Sequence, residues 1–172
     1  MTGFRTLLYK ELLRFWKVSF QTIAAPILTA LLYLLVFSHV LESHVQVYPG
    51  VPYTAFLIPG LAMMSLLQNA FANTSSSLIQ SKITGNIIFI LLPPLSYAEF
   101  YWAYIIAAVV RGMAVGAGVF AVTLVTVSVP LPNPFWALAF GLVGGGILGA
   151  LGLIAGIRAD GILTENAGDV LR

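Results

Sequence analysis

SFQTIAAPILTALLYLLVFSHVL, residues 19–41, is the stretch that decides the fold. It fills all but one position of an uncharged gap, residues 18 to 41, between Lys17 and Glu42. A helix that crosses the hydrocarbon core of a bilayer needs about 20 mostly apolar residues. Ile27, Leu31, Leu32, Leu34, Leu35, Val36 and Phe37 supply that character, so 19–41 reads as a first membrane span. It is longer than the apolar region of a secretory signal, and no A-x-A-type cleavage site follows it, so it reads as a retained anchor.

The same test applied outward gives three more spans. Residues 42–52 hold Pro49, Gly50 and Pro52 and form a loop. Residues 53–80 are a second span. Gly85, Pro93 and Pro94 break 82–96, which is too interrupted to cross. Residues 100–128 are a third span, interrupted by Arg111, and 135–157 a fourth. Between these last two, Pro130, Pro132 and Pro134 impose a tight turn. The whole composition agrees: 59% of the 172 residues are hydrophobic and 8% are charged, against about 25% charged in a soluble domain. The mean hydropathy is +0.97, and no helix has a polar stripe wide enough for a soluble bundle. The chain reads as an all-α integral membrane protein. It is a single domain over 1–172, with an amphipathic N-terminal helix over 1–18, four transmembrane helices and a polar tail over 158–172.

Charge sets the orientation. Arg5, Lys10, Arg14 and Lys17 precede the first span, Lys82 lies between the second and third, and Arg158 and Arg172 follow the fourth. The loops at 42–52 and 129–134 carry no Lys or Arg. By the positive-inside rule both termini are cytoplasmic. In the N-terminal helix, Phe4, Leu8, Leu12, Phe15 and Trp16 fall on one side, with Lys10, Arg14 and Lys17 opposite and Arg5 off the polar face. That pattern fits a helix lying in the membrane interface, and equally an ordinary basic flank of the first span. With a net charge of +2 nothing points to nucleic acid, and with no cysteine there is no thiol chemistry.

Between the second and third spans the chain reads Ser81-Lys82-Ile83-Thr84-Gly85-Asn86-Ile87-Ile88-Phe89-Ile90-Leu91-Leu92-Pro93-Pro94-Leu95-Ser96-Tyr97-Ala98-Glu99-Phe100. A short helix starting after Gly85 would bury Ile87, Ile88, Ile90 and Leu91, and Pro93-Pro94 would end it. Such a helix is too short to span and too apolar for water, so it should lie at the inner surface and dock.

Three polar or small-residue sets stand inside the spans. Arg111 lies roughly 17 Å into the third span by helical rise, where a lipid-facing charge is costly. Gln68, Asn69 and Asn73 of the second span share its depth and are its expected partners, as a substrate contact or as a structural anchor. Gly141, Gly145, Gly149, Gly152 and Gly156 fall within an arc of about 80° on the fourth span, the smooth face that close helix packing in lipid requires. His39, Glu42 and His44 do not share a helical face, and no metal or cofactor is expected from them.

The chain resembles the permease subunits of ABC-2 type exporters. The residues that carry the likeness are Phe56-Leu57-Ile58-Pro59-Gly60-Leu61, Gln68-Asn69-Ala70-Phe71, the run from Ser81 to Glu99, and Gly149-Ala150-Leu151-Gly152-Leu153-Ile154-Ala155-Gly156. The resemblance covers about residues 1 to 160. It implies a transmembrane subunit that moves substrate across the cytoplasmic membrane, worked by a separate ATPase subunit, with two permeases and two ATPases in the unit. It also implies that a coupling helix within Gly85, Asn86, Ile87, Leu91, Leu92, Pro93, Pro94, Leu95, Ser96 and Glu99 docks on the ATPase. The chain agrees in having no G-x-x-x-x-G-K-[ST] loop of its own, so it is not expected to be an enzyme. It departs in the number of spans, four where the family has six. A truncated or frame-shifted, export-incompetent product and a four-span variant both fit that departure. A non-transporting membrane scaffold is the alternative function.

Overall fold

The computed structural model describes the backbone of residues 2–41, 53–126 and 133–170, with side chains described to residue 159. Among the described residues six helices follow in order: α1 Thr2–Lys17, α2 Ser19–Leu41, α3 Tyr53–Ile83, α4 Ile87–Leu91, α5 Tyr97–Thr126 and α6 Pro134–Val170. No strand occurs among the described residues. Ser19–Phe37, Tyr53–Ile83, Tyr97–Val125 and Pro134–Ala159 are long and apolar enough to cross a membrane. Pro26 lies inside α2 and Pro59 inside α3, which membrane helices tolerate.

The helix ends differ from the sequence reading where local hydrogen bonding decides them. The third span starts at Tyr97, not at residue 100, because Ser96 and Glu99 form a capping box. Glu99 N donates to Ser96 Oγ at 3.2 Å and Ser96 N donates to Glu99 Oε2 at 3.1 Å. The second span runs on to Ile83, and Gly85, at φ +72°, makes the turn that follows. The fourth helix continues to Val170 instead of ending at Ile157. No proline interrupts that stretch. Residues 127 and 128 of the expected third span lie outside the described residues, as do Glu42 and His44.

Helix α3 is the axis of the bundle. Helices α5 and α6 pack along it, and small residues let them approach closely. On α6, a Cβ added at Gly141 would stand 3.2 Å from Leu66 Cδ1, and at Gly156 3.0 Å from Leu78 Cβ. At Gly149 it would stand 3.1 Å from Ala108 Cβ, and at Gly145 3.4 Å from Leu66 Cδ2. At Gly152 it would collide with Phe71 O and Thr74 Oγ1. All five glycines therefore face α3 or α5, while Gly146 meets nothing. Thr74 Oγ1 donates to Gly149 O at 2.8 Å across the same seam. Helix α5 has its own close approach, which the sequence reading does not include. Gly112 and Gly116 are spaced as G-x-x-x-G, and added Cβ atoms would stand 2.8 Å from Leu66 O and 3.1 Å from Leu66 Cβ.

Helix α1 turns Phe4, Leu8 and Phe15 to the bundle and Lys10 and Lys17 outward, as its pattern implies, but departs from that pattern at two positions. Leu7, Glu11 and Phe15, at i, i+4 and i+8, are buried against the bundle. Trp16, expected on the apolar side, is 74% exposed, together with Tyr9 and Leu13. Arg14, expected on the outer face, reaches Asn73 of α3. The reason is that Glu11 and Arg14 are matched by polar groups on α3, so the bundle-facing side is not purely apolar. Leu7 sits with Leu78 while Arg14 reaches Asn73, so α1 advances along α3 from its end toward its middle.

Candidate functional site

Two features meet at the end of the bundle where α1, α4, the end of α3 and the start of α5 converge. The first is the short helix α4. Asn86 precedes it, Phe89 N donates to Asn86 O at 3.2 Å, and Leu92 N donates to Ile88 O at 2.9 Å. Pro93-Pro94 then prevents continuation, and Leu95 N turns back to Pro93 O at 2.7 Å. Ile90 points inward and joins Leu7, Leu78, Ala103, Tyr104 and Leu153 in one apolar core, with Ile87, Leu95 and Phe100 packed against it.

The expected burial of Ile88 and Leu91 does not occur. A five-residue helix presents only one narrow face to the bundle, and Ile90 takes it with Ile87 at its edge. Ile88 is 63% exposed and Leu91 67%, with Phe89 and Leu92 equally open. Pro93, Pro94, Gly85 and Asn86 are also exposed. Glu99 and Ser96 belong to the capping box of α5. The result is an apolar knob anchored from behind by Ile90.

The second feature is a polar cluster buried among α1, α3 and α5. Ser77 Oγ donates to Glu11, which is fully buried, with 2.8 Å to each carboxylate oxygen. Lys10 Nζ donates to Glu11 Oε1 at 3.0 Å, and Arg14 Nε lies 3.5 Å from Glu11 Oε2. Arg14 Nη2 donates to Asn73 O at 2.8 Å and to Asn73 Oδ1 at 3.2 Å. Arg111 Nη1 donates to the same Oδ1 at 3.4 Å. Among the described residues, the buried side-chain atoms without a hydrogen-bond partner include Arg14 Nε, Asn73 Nδ2, Arg111 Nε and Tyr104 Oη. Three of them belong to this cluster, and Tyr104 stands in the apolar core beside it.

Of the expected partners of Arg111, Asn73 is in contact. Asn69 Nδ2 instead donates to Ser65 O within its own helix, and Gln68 is exposed, lining an apolar groove with Met63, Met64 and Phe71. An amide faces Arg111 only if it falls on the α5 side of α3, and depth alone does not select the side. The buried acid of the cluster comes from outside the spans: Glu11 enters on α1. Its sequence signal is an acid placed between Leu7 and Phe15 on the apolar face of that helix. Among the described residues no group of His, Asp or Glu is arranged to hold a metal.

The described chain is thus an all-helical membrane domain, a bundle of four membrane-length helices with an N-terminal helix clamped to it and a short exposed helix between its second and third spans. The chain matches the ABC-2 type transporter family over residues 2–163 and belongs to that family. It is 35% identical over 152 residues to the protein named inner membrane transport permease YadH of Escherichia coli K12, covering 87% of this chain and 59% of that one. A protein of the same name from Shigella flexneri is similar to the same extent. The chain thus spans 59% of the length of the curated relatives it matches. No solved structure matches it.

Proposed function

We propose that the chain forms the transmembrane permease part of an ABC-2 type exporter in the inner membrane, moving substrate by the work of a separate ATPase subunit. Both termini are on the cytoplasmic side, and the permease pairs with a second copy of itself. The observation that carries this reading is the exposed apolar face of α4, formed by Ile88, Phe89, Leu91 and Leu92, on the end of the bundle that bears the basic residues. An apolar knob of this kind in contact with water needs a partner surface. Its anchoring suits it to pass on a push. Ile90 joins α4 to Leu7 of α1, Leu78 of α3, Tyr104 of α5 and Leu153 of α6 in one core. Packed cores move as units, so closure of the ATPases against α4 displaces several spans together.

The test uses cysteines placed singly at Asn86 and Leu92, in a chain that has none of its own. Each should crosslink to the ATPase subunit in the assembled complex. Absence of any crosslink from this run, with permease and ATPase copurifying, contradicts the assignment.

A further inference from the structure

A partly open cavity of about 630 Å³ lies between α1, the end of α3 and α4. Its size is that of a small-molecule site. The charged side chains lining it, among the described residues, are Lys10 and Arg14, and no acid joins them. Glu11 lies behind this wall, wholly buried and turned to Ser77. It balances one of the two cations, leaving one positive charge in excess. An ammonium has three donors, and Lys10 Nζ is held to Glu11 by one hydrogen bond. Arg14 lines the cavity, while its Nε is buried 3.5 Å from Glu11 Oε2. Thr6, Ser77, Ser81 and Thr84 border the same space, with the hydroxyls of the last three donating to Glu11, Ser77 O and Gln80 O and able to accept from a ligand. The opposite wall is apolar, made by Leu7, Phe89, Ile90 and Leu95.

This pairing of a cationic, hydroxyl-rich end with an apolar wall selects an amphiphile with an anionic head. We infer that the cavity binds the phosphate head of an acidic phospholipid, with Lys10 and Arg14 on the phosphate and the upper acyl and glycerol carbons along Leu7, Ile90 and Leu95. A free phosphate shares the head-group chemistry but has no use for the apolar wall. The α1 helix brings the cavity to the membrane surface through exposed Tyr9 and Trp16, residue types that sit at the head-group level. The site needs only that the bundle lies in a bilayer; it shares Phe89 with the docking face of α4, whereas Lys10 and Thr6, the positions varied below, lie on α1 away from that face.

The experiment is native mass spectrometry of the protein released from bilayers of phosphatidylcholine mixed with phosphatidylglycerol, with and without inorganic phosphate. Phosphatidylglycerol should be retained in preference to phosphatidylcholine. Lys10→Gln should lower that retention about fivefold, the effect of one cation near an anionic surface. Lys10 is partly exposed, so this variant folds. A second variant, Thr6→Trp, fills the cavity without touching a charge and should lower retention of the same lipid. Equal retention of both lipids, or retention indifferent to both variants, overturns the inference. Displacement of the lipid by inorganic phosphate assigns the site to a free anion and overturns it as well.

Discussion

Glu11 is a carboxylate with no exposure, held by Ser77 and beside Lys10 and Arg14. Removing one member of a buried charge set leaves the others uncompensated and costs about 3 kcal/mol or more. Glu11→Gln should therefore lower thermal stability in detergent sharply. Lys10→Gln, at a side chain 43% exposed, should change it by roughly 0–1 kcal/mol. Equal effects of the two variants would show that α1 is not held by this carboxylate. The sequence conceals the role of Glu11. On a helical projection, Lys10, Arg14 and Lys17 suggest a solvent face, and only a partner on another helix turns Arg14 inward. Asn73 is within reach of sequence reasoning because it matches Arg111 in depth. Its contact with Arg14 is not, because nothing in the spans reveals how far α1 advances along α3.

At the scale of the helices, uncharged gaps make the four spans legible, because a charge in hydrocarbon is costly and its absence over about 20 residues has few other causes. Their ends are less legible. Ser96 and Glu99 look like members of the docking run, yet they satisfy the first donors of α5 and move its start to Tyr97. The glycine arc on α6 is readable from 3.6-residue periodicity alone, while Gly112 and Gly116 carry the same signal at one spacing only. The seam gives a discriminating pair of substitutions. Gly152→Ala places a methyl group against Phe71 O and Thr74 Oγ1 and should destabilise the protein by about 1–3 kcal/mol, the cost of overpacking. Gly146→Ala meets nothing and should be neutral or slightly stabilising, since alanine favours helix over glycine. Thermal unfolding of the two purified variants checks this. A Gly152→Ala protein as stable as the parent would mean that α6 does not pack on α3 through this face.

At the scale of the whole molecule, one end of the bundle gathers α1, α4 and the adjoining ends of α3 and α5 around a common core. The apolar face of α4 that looks away from this core is legible as a helix stopped by Pro93-Pro94. The division of labour within it is not. Ile90 is buried and Ile87 packs partly against the core, while Ile88 and Leu91 remain outside, because five residues make little more than one turn. The proposed permease role requires that this end face the cytoplasm and that α4 be the surface on which the ATPase acts. Labelling of a single cysteine at Leu92 by a membrane-impermeant maleimide tests that requirement most directly. The residue is exposed, and the native chain offers no competing thiol. The expected result is no labelling from the outer side of sealed spheroplasts, ready labelling in inverted membrane vesicles, and protection in those vesicles when the ATPase subunit is bound. Labelling from the outer side, or labelling in inverted vesicles unaffected by bound ATPase, would contradict the proposed role.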